Sequence, residues 1–355
     1  MSSSRGLRAT ALAVCVLVFA PLQARAEVSG QQRAQSAGRD LLGTAAPKLV
    51  LKTIDGATID LGSLYGKKAV YVKFWATWCT PCRQQMPHFE HTYETAGSEL
   101  AVIAIDVGFN DSIEAIRDYQ KKLGITMPIV FDDGSLGAAF HLRVTPTHIV
   151  IGRDGRIQYV GHLADRDLDA ALTAARTAAP ASADSGSPRH AAGAAIERKD
   201  PAPIGVGDLL PAQSLRTLDG KRFELRPSAS PRQLTALVFL SPWCESYLAS
   251  TRPEVSSNCL KVREQISAVA ADPRIRWIGI ASGLWANRDD LSEYRAQYKV
   301  NIPLTLDASG AEFRAFRVND VPTILVADAE GRIVRRIEGG ATHDAAALLK
   351  NILEL

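Results

Sequence analysis

Apolar runs alternate with mixed segments along this chain, and the alternation occurs twice. In its first occurrence, residues 69–75 are apolar and rich in β-formers, which predicts a buried strand. Residues 82–96 suit a helix, with a kink expected at Pro87. Residues 100–107 read as a second buried strand, and Asp111 is placed to cap a helix over 112–123. A short strand follows at 128–131. Residues 147–151 and 156–160 then flank Arg153-Asp154-Gly155, a hairpin signal, and residues 165–178 suit a closing helix. Strand, helix, strand, helix, hairpin and helix together predict an α/β unit: a central mixed β-sheet flanked by helices.

The pattern returns with its motifs in the same order. Lys52-Thr-Ile-Asp-Gly56 recurs as Arg216-Thr-Leu-Asp-Gly220, and Trp78-Cys79 as Trp243-Cys244. Met127-Pro128 recurs as Ile302-Pro303, Thr145-Pro146-Thr147 as Val321-Pro322-Thr323, and Asp154-Gly-Arg-Ile157 as Glu330-Gly-Arg-Ile333. Five collinear matches imply two copies of one domain. The expected division is residues 41–178 and 208–355. Between them, residues 179–207 are rich in Ala, Ser, Pro and Gly and read as a flexible linker. Residues 27–40 read as a loose polar leader.

Charge changes the picture only after the N-terminus is set apart. The formal net charge is +3. The first 26 residues hold Arg5, Arg8 and Arg25 and no acid, and without them 38 basic residues face 38 acidic ones. A neutral mature chain calls for neither nucleic acid nor an anionic membrane surface. Arg5 and Arg8, a short apolar run over 9–20 and Ala24-Arg25-Ala26 predict a signal peptide at 1–26, cleaved before Glu27. An uncleaved anchor is the alternative. No other stretch is apolar enough to span a bilayer, so the mature chain is expected in the periplasm without stable membrane insertion. Cys79, Cys82, Cys244 and Cys259 remain, an even number that favours disulfides or redox work in an exported chain.

The most informative stretch is Phe74-Trp75-Ala-Thr-Trp78-Cys79-Thr-Pro81-Cys82. It delivers a Cys-x-x-Cys from the end of a buried strand to the start of a helix, where unpaired N–H groups stabilise a thiolate. Cys79 would sit at the exposed cap as nucleophile, and Cys82, one turn inward, would resolve the mixed disulfide. Pro81 suits the first helical turn. Half of a zinc site is the rival, but no second Cys-x-x-Cys completes it; no metal and no cofactor are expected. Pro146, opening a strand opposite that helix, is a candidate for a cis bond that presents the backbone of Thr145 to an extended client.

On these residues the first copy, over about 45–163, resembles the thioredoxin superfamily, and within it the TlpA-like periplasmic thiol–disulfide oxidoreductases. The resemblance rests on Phe74-Trp75-Ala-x-Trp78-Cys79-x-Pro81-Cys82, Pro87, Thr145-Pro146-Thr147 and Asp154-Gly-Arg. It implies a reductase-type role, keeping cytochrome c apoprotein, copper-site or other cysteines reduced, and an upstream membrane protein as electron donor. Two positions depart from the family. Lys73 stands where thioredoxins carry an acid and relatives often Asn; a cation there would lower a nearby thiol pKa, unless its ammonium reaches solvent. Gln85 replaces a common Glu and cannot move protons. His88 and His91, spaced i, i+3, and His148 after the proline are weaker candidates for a site role.

The second copy keeps Trp243, Cys244 and Pro322 but places Tyr247 where the resolving cysteine should be. It cannot run the dithiol cycle and is expected to bind or orient a client. Cys259 would lie ~22 Å from Cys244 on one unbroken helix, beyond disulfide reach. Pro253 interrupts that segment, so a Cys244–Cys259 disulfide and two separate thiols both stand open. The expected whole is two tandem thioredoxin-like domains, the first exchanging disulfides with protein clients. The rivals are a copper-handling protein holding Cu(I) with Cys79 and Cys82, and a client-binding module with vestigial redox chemistry.

Overall fold

The computed structural model describes residues 30–178, 203–226, 233–339 and 344–354. The signal peptide expected at 1–26 and residues 179–202 of the linker expected over 179–207 lie outside the described residues. Two units emerge, each built on a five-stranded sheet with the same order of strands. In the first the order is Ile129–Phe131, Leu100–Asp106, Ala69–Trp75, Thr147–Ile151 and Ile157–Gly161. In the second it is Leu304–Asp307, Ile275–Ser282, Leu234–Leu240, Thr323–Ala327 and Ile333–Glu338. In both, the first three strands of that order are parallel and the last two pairings antiparallel.

The apolar runs explain the centre of each sheet. Every residue of Ala69–Trp75 is buried, because neighbours on both edges and helices on both faces enclose it. The repeated Thr-x-Asp-Gly forms a tight turn in each copy, joining Val50–Lys52 to Thr58–Asp60 and Ser214–Arg216 to Arg222–Glu224. Gly56 and Gly220 take φ of 87° and 77°, a left-handed conformation that favours glycine there.

Four local expectations are corrected. The helix after the second strand spans Ile113–Leu123 and is capped by Ser112, whose side chain accepts from Ala115 N. Asp111 is not its cap: its carboxylate accepts from Thr77 N at 2.7 Å and Thr77 Oγ1 at 2.8 Å. The helix expected over 82–96 starts earlier and is broken in two, Thr80–Gln84 and Met86–Glu94, with Pro87 at the start of the second piece, where its missing N–H costs nothing. The leader expected to be loose forms a helix over Gly30–Ser36 and a 3-10 turn over Arg39–Leu41. Buried Ala34 and Leu41 tie it down. Ile204 and Gly207, linker residues by composition, donate to Ala315 O and Ile333 O of the second unit.

The units touch through the ends of their sheets that carry Trp78 and Trp243. The rings of these two residues lie 5.2 Å apart, and Phe109 packs on Trp243 at 5.7 Å and on Phe313 at 5.9 Å. One buried apolar cluster therefore runs from the first sheet into the second.

Candidate active site

The strand Ala69–Trp75 ends just before the Cys-x-x-Cys, and Cys79 becomes the N-cap of Thr80–Gln84. Cys79 and Cys82 are joined in a disulfide, with Cα atoms 5.2 Å apart. Cys82 N donates to Cys79 Sγ at 3.3 Å. That donor has no intrahelical acceptor at this position, so it is free to stabilise negative charge on the outer sulfur. The Thr145–Pro146 peptide bond is cis, and Thr145 is fully buried.

Cys79 itself differs from the sequence-based expectation of an exposed cap: it has 0% exposure. Residues of the second unit stand against its neighbours in the motif. Tyr247 packs edge-on against Trp78 at 6.1 Å. Burial pushes the Tyr247 phenol up. Arg252 of the second unit reaches across to Thr77 and pairs with the buried Asp111 carboxylate at 3.2 Å.

Beneath the cysteines lies a buried polar chain that the sequence showed only in pieces. Lys73 does not reach solvent. Its Nζ donates to Cys82 O at 3.4 Å and lies 5.1 Å from the Phe89 ring. Burial brings its ammonium down to about 7. Lys73 is registered opposite His148 on the neighbouring strand. His148 Nδ1 shares a hydrogen bond with Tyr71 OH at 2.7 Å, and its Nε2 donates to Gln85 Oε1 at 2.7 Å. That tautomer follows from Gln85 offering its oxygen, since Gln85 Nε2 donates to His162 O at 3.1 Å. Burial first, and Lys73 second, hold His148 well below the ordinary imidazole range. Asp106, also fully buried, accepts from Gly108 N at 2.9 Å, and burial raises its carboxyl well above the usual range. Tyr71 and Asp106 were missed by motif reading, since each sits within an apolar run.

His88 and His91 engage Asp169 and Glu94 at 3.1 and 3.9 Å. Among the described residues, no group of three or more His, Cys, Asp or Glu side chains is arranged to hold a metal ion. In the second unit Cys244 is bonded to Cys259, with Cα atoms 6.2 Å apart. The chain folds back between a short helix over Cys244–Tyr247 and the helix Pro253–Val269. Val321–Pro322 is also cis.

A helix-capping cysteine pair beside a proline loop on such a sheet defines a thioredoxin-fold thiol–disulfide oxidoreductase. Residues 42–160 match the AhpC/TSA family. The thioredoxin-like protein YneN of Bacillus subtilis is 33% identical over 133 residues, 37% of this chain and 78% of that protein. The thiol-disulfide oxidoreductase ResA of the same organism is 32% identical over 117 residues, 32% of this chain and 64% of its own length. Among solved structures, a thiol:disulfide interchange protein from Chlorobium tepidum TLS shares 31% identity, covering 38% of this chain and 97% of its own, with a TM-score of 0.35. The chain belongs to the thioredoxin-like family that includes these thiol–disulfide oxidoreductases, and it is an enzyme of that class.

Proposed function

We propose that this protein is an exported reductant of protein disulfides, working through Cys79 and Cys82, with the second unit serving to hold or orient the client. The observation that supports this most is the Cys82 N–H directed at Cys79 Sγ, beside the Thr145–Pro146 loop. In the dithiol form, that donor favours the Cys79 thiolate. The thiolate attacks one sulfur of a client disulfide, forming a Cys79–client bond and releasing a client thiolate. Cys82, as thiolate, then attacks Cys79 Sγ and expels the second client sulfur. The client gains two electrons and two protons, and the Cys79–Cys82 disulfide remains. An external dithiol must restore it, and the family resemblance makes a membrane donor the expected source.

Lys73 sits on the inner side of this pair. Burial brings its ammonium down to about 7, so at pH 7 it is about half protonated, and its Nζ donates to the Cys82 carbonyl at 3.4 Å, where it can give up or take a proton close to the inner cysteine. In the second unit Cys244 is bonded to Cys259 and Tyr247 occupies the resolving position, so no equivalent cycle runs there.

Insulin or glutathione-disulfide reduction tests the assignment. Cys79→Ser abolishes turnover, and Cys82→Ser accumulates mixed disulfides through Cys79. Persistent turnover in Cys79→Ser would falsify it. The direction is tested by the reduction potential of the pair: about −270 mV suits a reductant and about −120 mV an oxidant.

A further inference from the structure

The contact between the units is reciprocal, and the same backbone positions carry it on both sides. In the first unit, Asn110 follows the strand Leu100–Asp106; in the second, Trp285 follows Ile275–Ser282. Both take a left-handed backbone, with φ of 50° and 57°, which is uncommon for residues with side chains. Asn110 N donates to Asn319 O at 2.8 Å, and Trp285 N donates to Arg143 O at 2.8 Å. Asn319 and Arg143 each lie three residues before a cis proline, Pro322 and Pro146.

The side chains repeat the exchange one step closer to the proline. Asn110 Oδ1 accepts from Val321 N at 2.9 Å, and Trp285 Nε1 donates to Thr145 Oγ1 at 3.3 Å. Val321 and Thr145 are the residues immediately before those prolines. Each inserted segment is braced by the tryptophan that precedes its own unit's first cysteine. Trp78 Nε1 donates to Phe109 O at 2.6 Å and Trp243 Nε1 to Leu284 O at 2.7 Å. Both units thus lay the loop after the second strand of their core across the other's proline loop. In the first unit, that is where an extended client would have to pair to reach Cys79.

We propose that each unit is the resident occupant of the other's proline-loop groove, so that a protein client reaches Cys79 only after the two units part. This rests on the disulfide-exchange reading of Cys79 and Cys82. Parting uncovers both grooves together, since one set of contacts fills both. The opened chain then presents a matched pair of strand-pairing surfaces, suited to an extended cystine-bearing segment long enough to lie on both. The latch outside the grooves is the Arg252–Asp111 pair together with the Trp78–Trp243–Tyr247 ring cluster. Asp111 is buried, so removing Arg252 leaves its charge short of a partner and weakens the closed state.

The full chain, freshly reduced, tests this through the alkylation rate of Cys79 by iodoacetamide, read by peptide mass spectrometry. In the native wild type, Cys79 reacts at least about a hundredfold more slowly than in the urea-unfolded chain at the same pH. Trp285→Ala, which loses one cross-unit hydrogen bond, raises the native rate about tenfold, and Arg252→Ala, which loses its bonds to both Thr77 and Asp111, raises it at least as much. The pH midpoint of the rate stays where it was, because neither residue touches a sulfur. Equal rates for Cys79 in native and unfolded wild type overturn the proposal without any variant. So do wild-type rates in both variants when their far-UV circular dichroism and unfolding cooperativity match the wild type. Loss of turnover in Cys79→Ser alongside unprotected Cys79 would overturn the occlusion and leave the disulfide-exchange reading standing.

Discussion

Replacing Lys73 with Met separates the cost of a buried ammonium from the rest of the fold. An unfolded lysine titrates near about 10.4, whereas burial brings Lys73 to about 7 in the folded chain. Between those values the unfolded chain holds a proton that the folded chain has released. Stability therefore rises with pH through this window, by up to about 1.4 kcal/mol per pH unit. Below pH 7 both states are charged and the penalty is complete. Methionine keeps the length and apolar stem of lysine without the charge. The expected stability gain of Lys73→Met over wild type is about 4 kcal/mol at pH 7 and falls to about 1 kcal/mol at pH 9.5. Urea unfolding of the oxidised protein at half-unit pH steps measures it, since the disulfide-bonded cysteines do not titrate in that form. Other buried groups titrate too: His148 lies low, Asp132 is pushed up to about 6, Asp106 lies high, and Tyr65 and Tyr71 act above pH 10. Asp132, Asp106, Tyr65 and Tyr71 are common to both proteins, and His148, held low by burial before Lys73, is uncharged in both above pH 7, so the difference between the two curves over pH 7 to 9.5 reports Lys73. A difference that stays constant within about 0.5 kcal/mol from pH 7 to 9.5 refutes the reasoning, and Lys73 would then keep its charge throughout.

Two further outcomes follow from the same geometry. Gln85→Ala removes the acceptor from His148 Nε2 in a buried setting and is expected to cost about 1–3 kcal/mol by urea unfolding, whereas Gln85→Glu, which restores an acceptor, should recover most of it. The Cys244→Ser, Cys259→Ser double variant opens a cross-link of sequence separation 15 and should lose about 3 kcal/mol of stability by thermal or urea unfolding, while insulin reduction through Cys79 continues near the wild-type rate.

The layout of the sheets was legible because their strands are long apolar runs with a fixed order of motifs. Ala69–Trp75 coincides with its predicted bounds, and the recurring motifs place the second unit's strands in the same succession. Local signals failed where a distant partner claimed the residue. Asp111 and Ser112 are both good helix caps, and Ser112 takes the role because Thr77 and Arg252 occupy Asp111. Lys73 was legible as an oddity, and its burial follows from the run that contains it. Its direction toward the Cys82 carbonyl depends on Phe89 and His148, which no local pattern relates to it. The packing of the motif against the second unit could not be read from the motif itself, because Tyr247 and Trp243, which lie against Trp78, are more than 160 positions away. The equivalence of Asn110 and Trp285 was available in the repeat, as the residues following corresponding strands, but neither carries a motif.

The crossed loops also decide how the closed form responds to dilution. Two separate thioredoxin-like chains that covered each other in this way would part as their concentration fell below the dissociation constant. Here both halves belong to one polypeptide, so closing is a unimolecular event, and the local concentration of one half around the other is fixed by the chain, commonly in the millimolar range. The closed fraction is then the same in a sparsely populated compartment as in a crowded one. Abundance sets how many molecules are present, while the strength of the latch and the competing client set how many stand open.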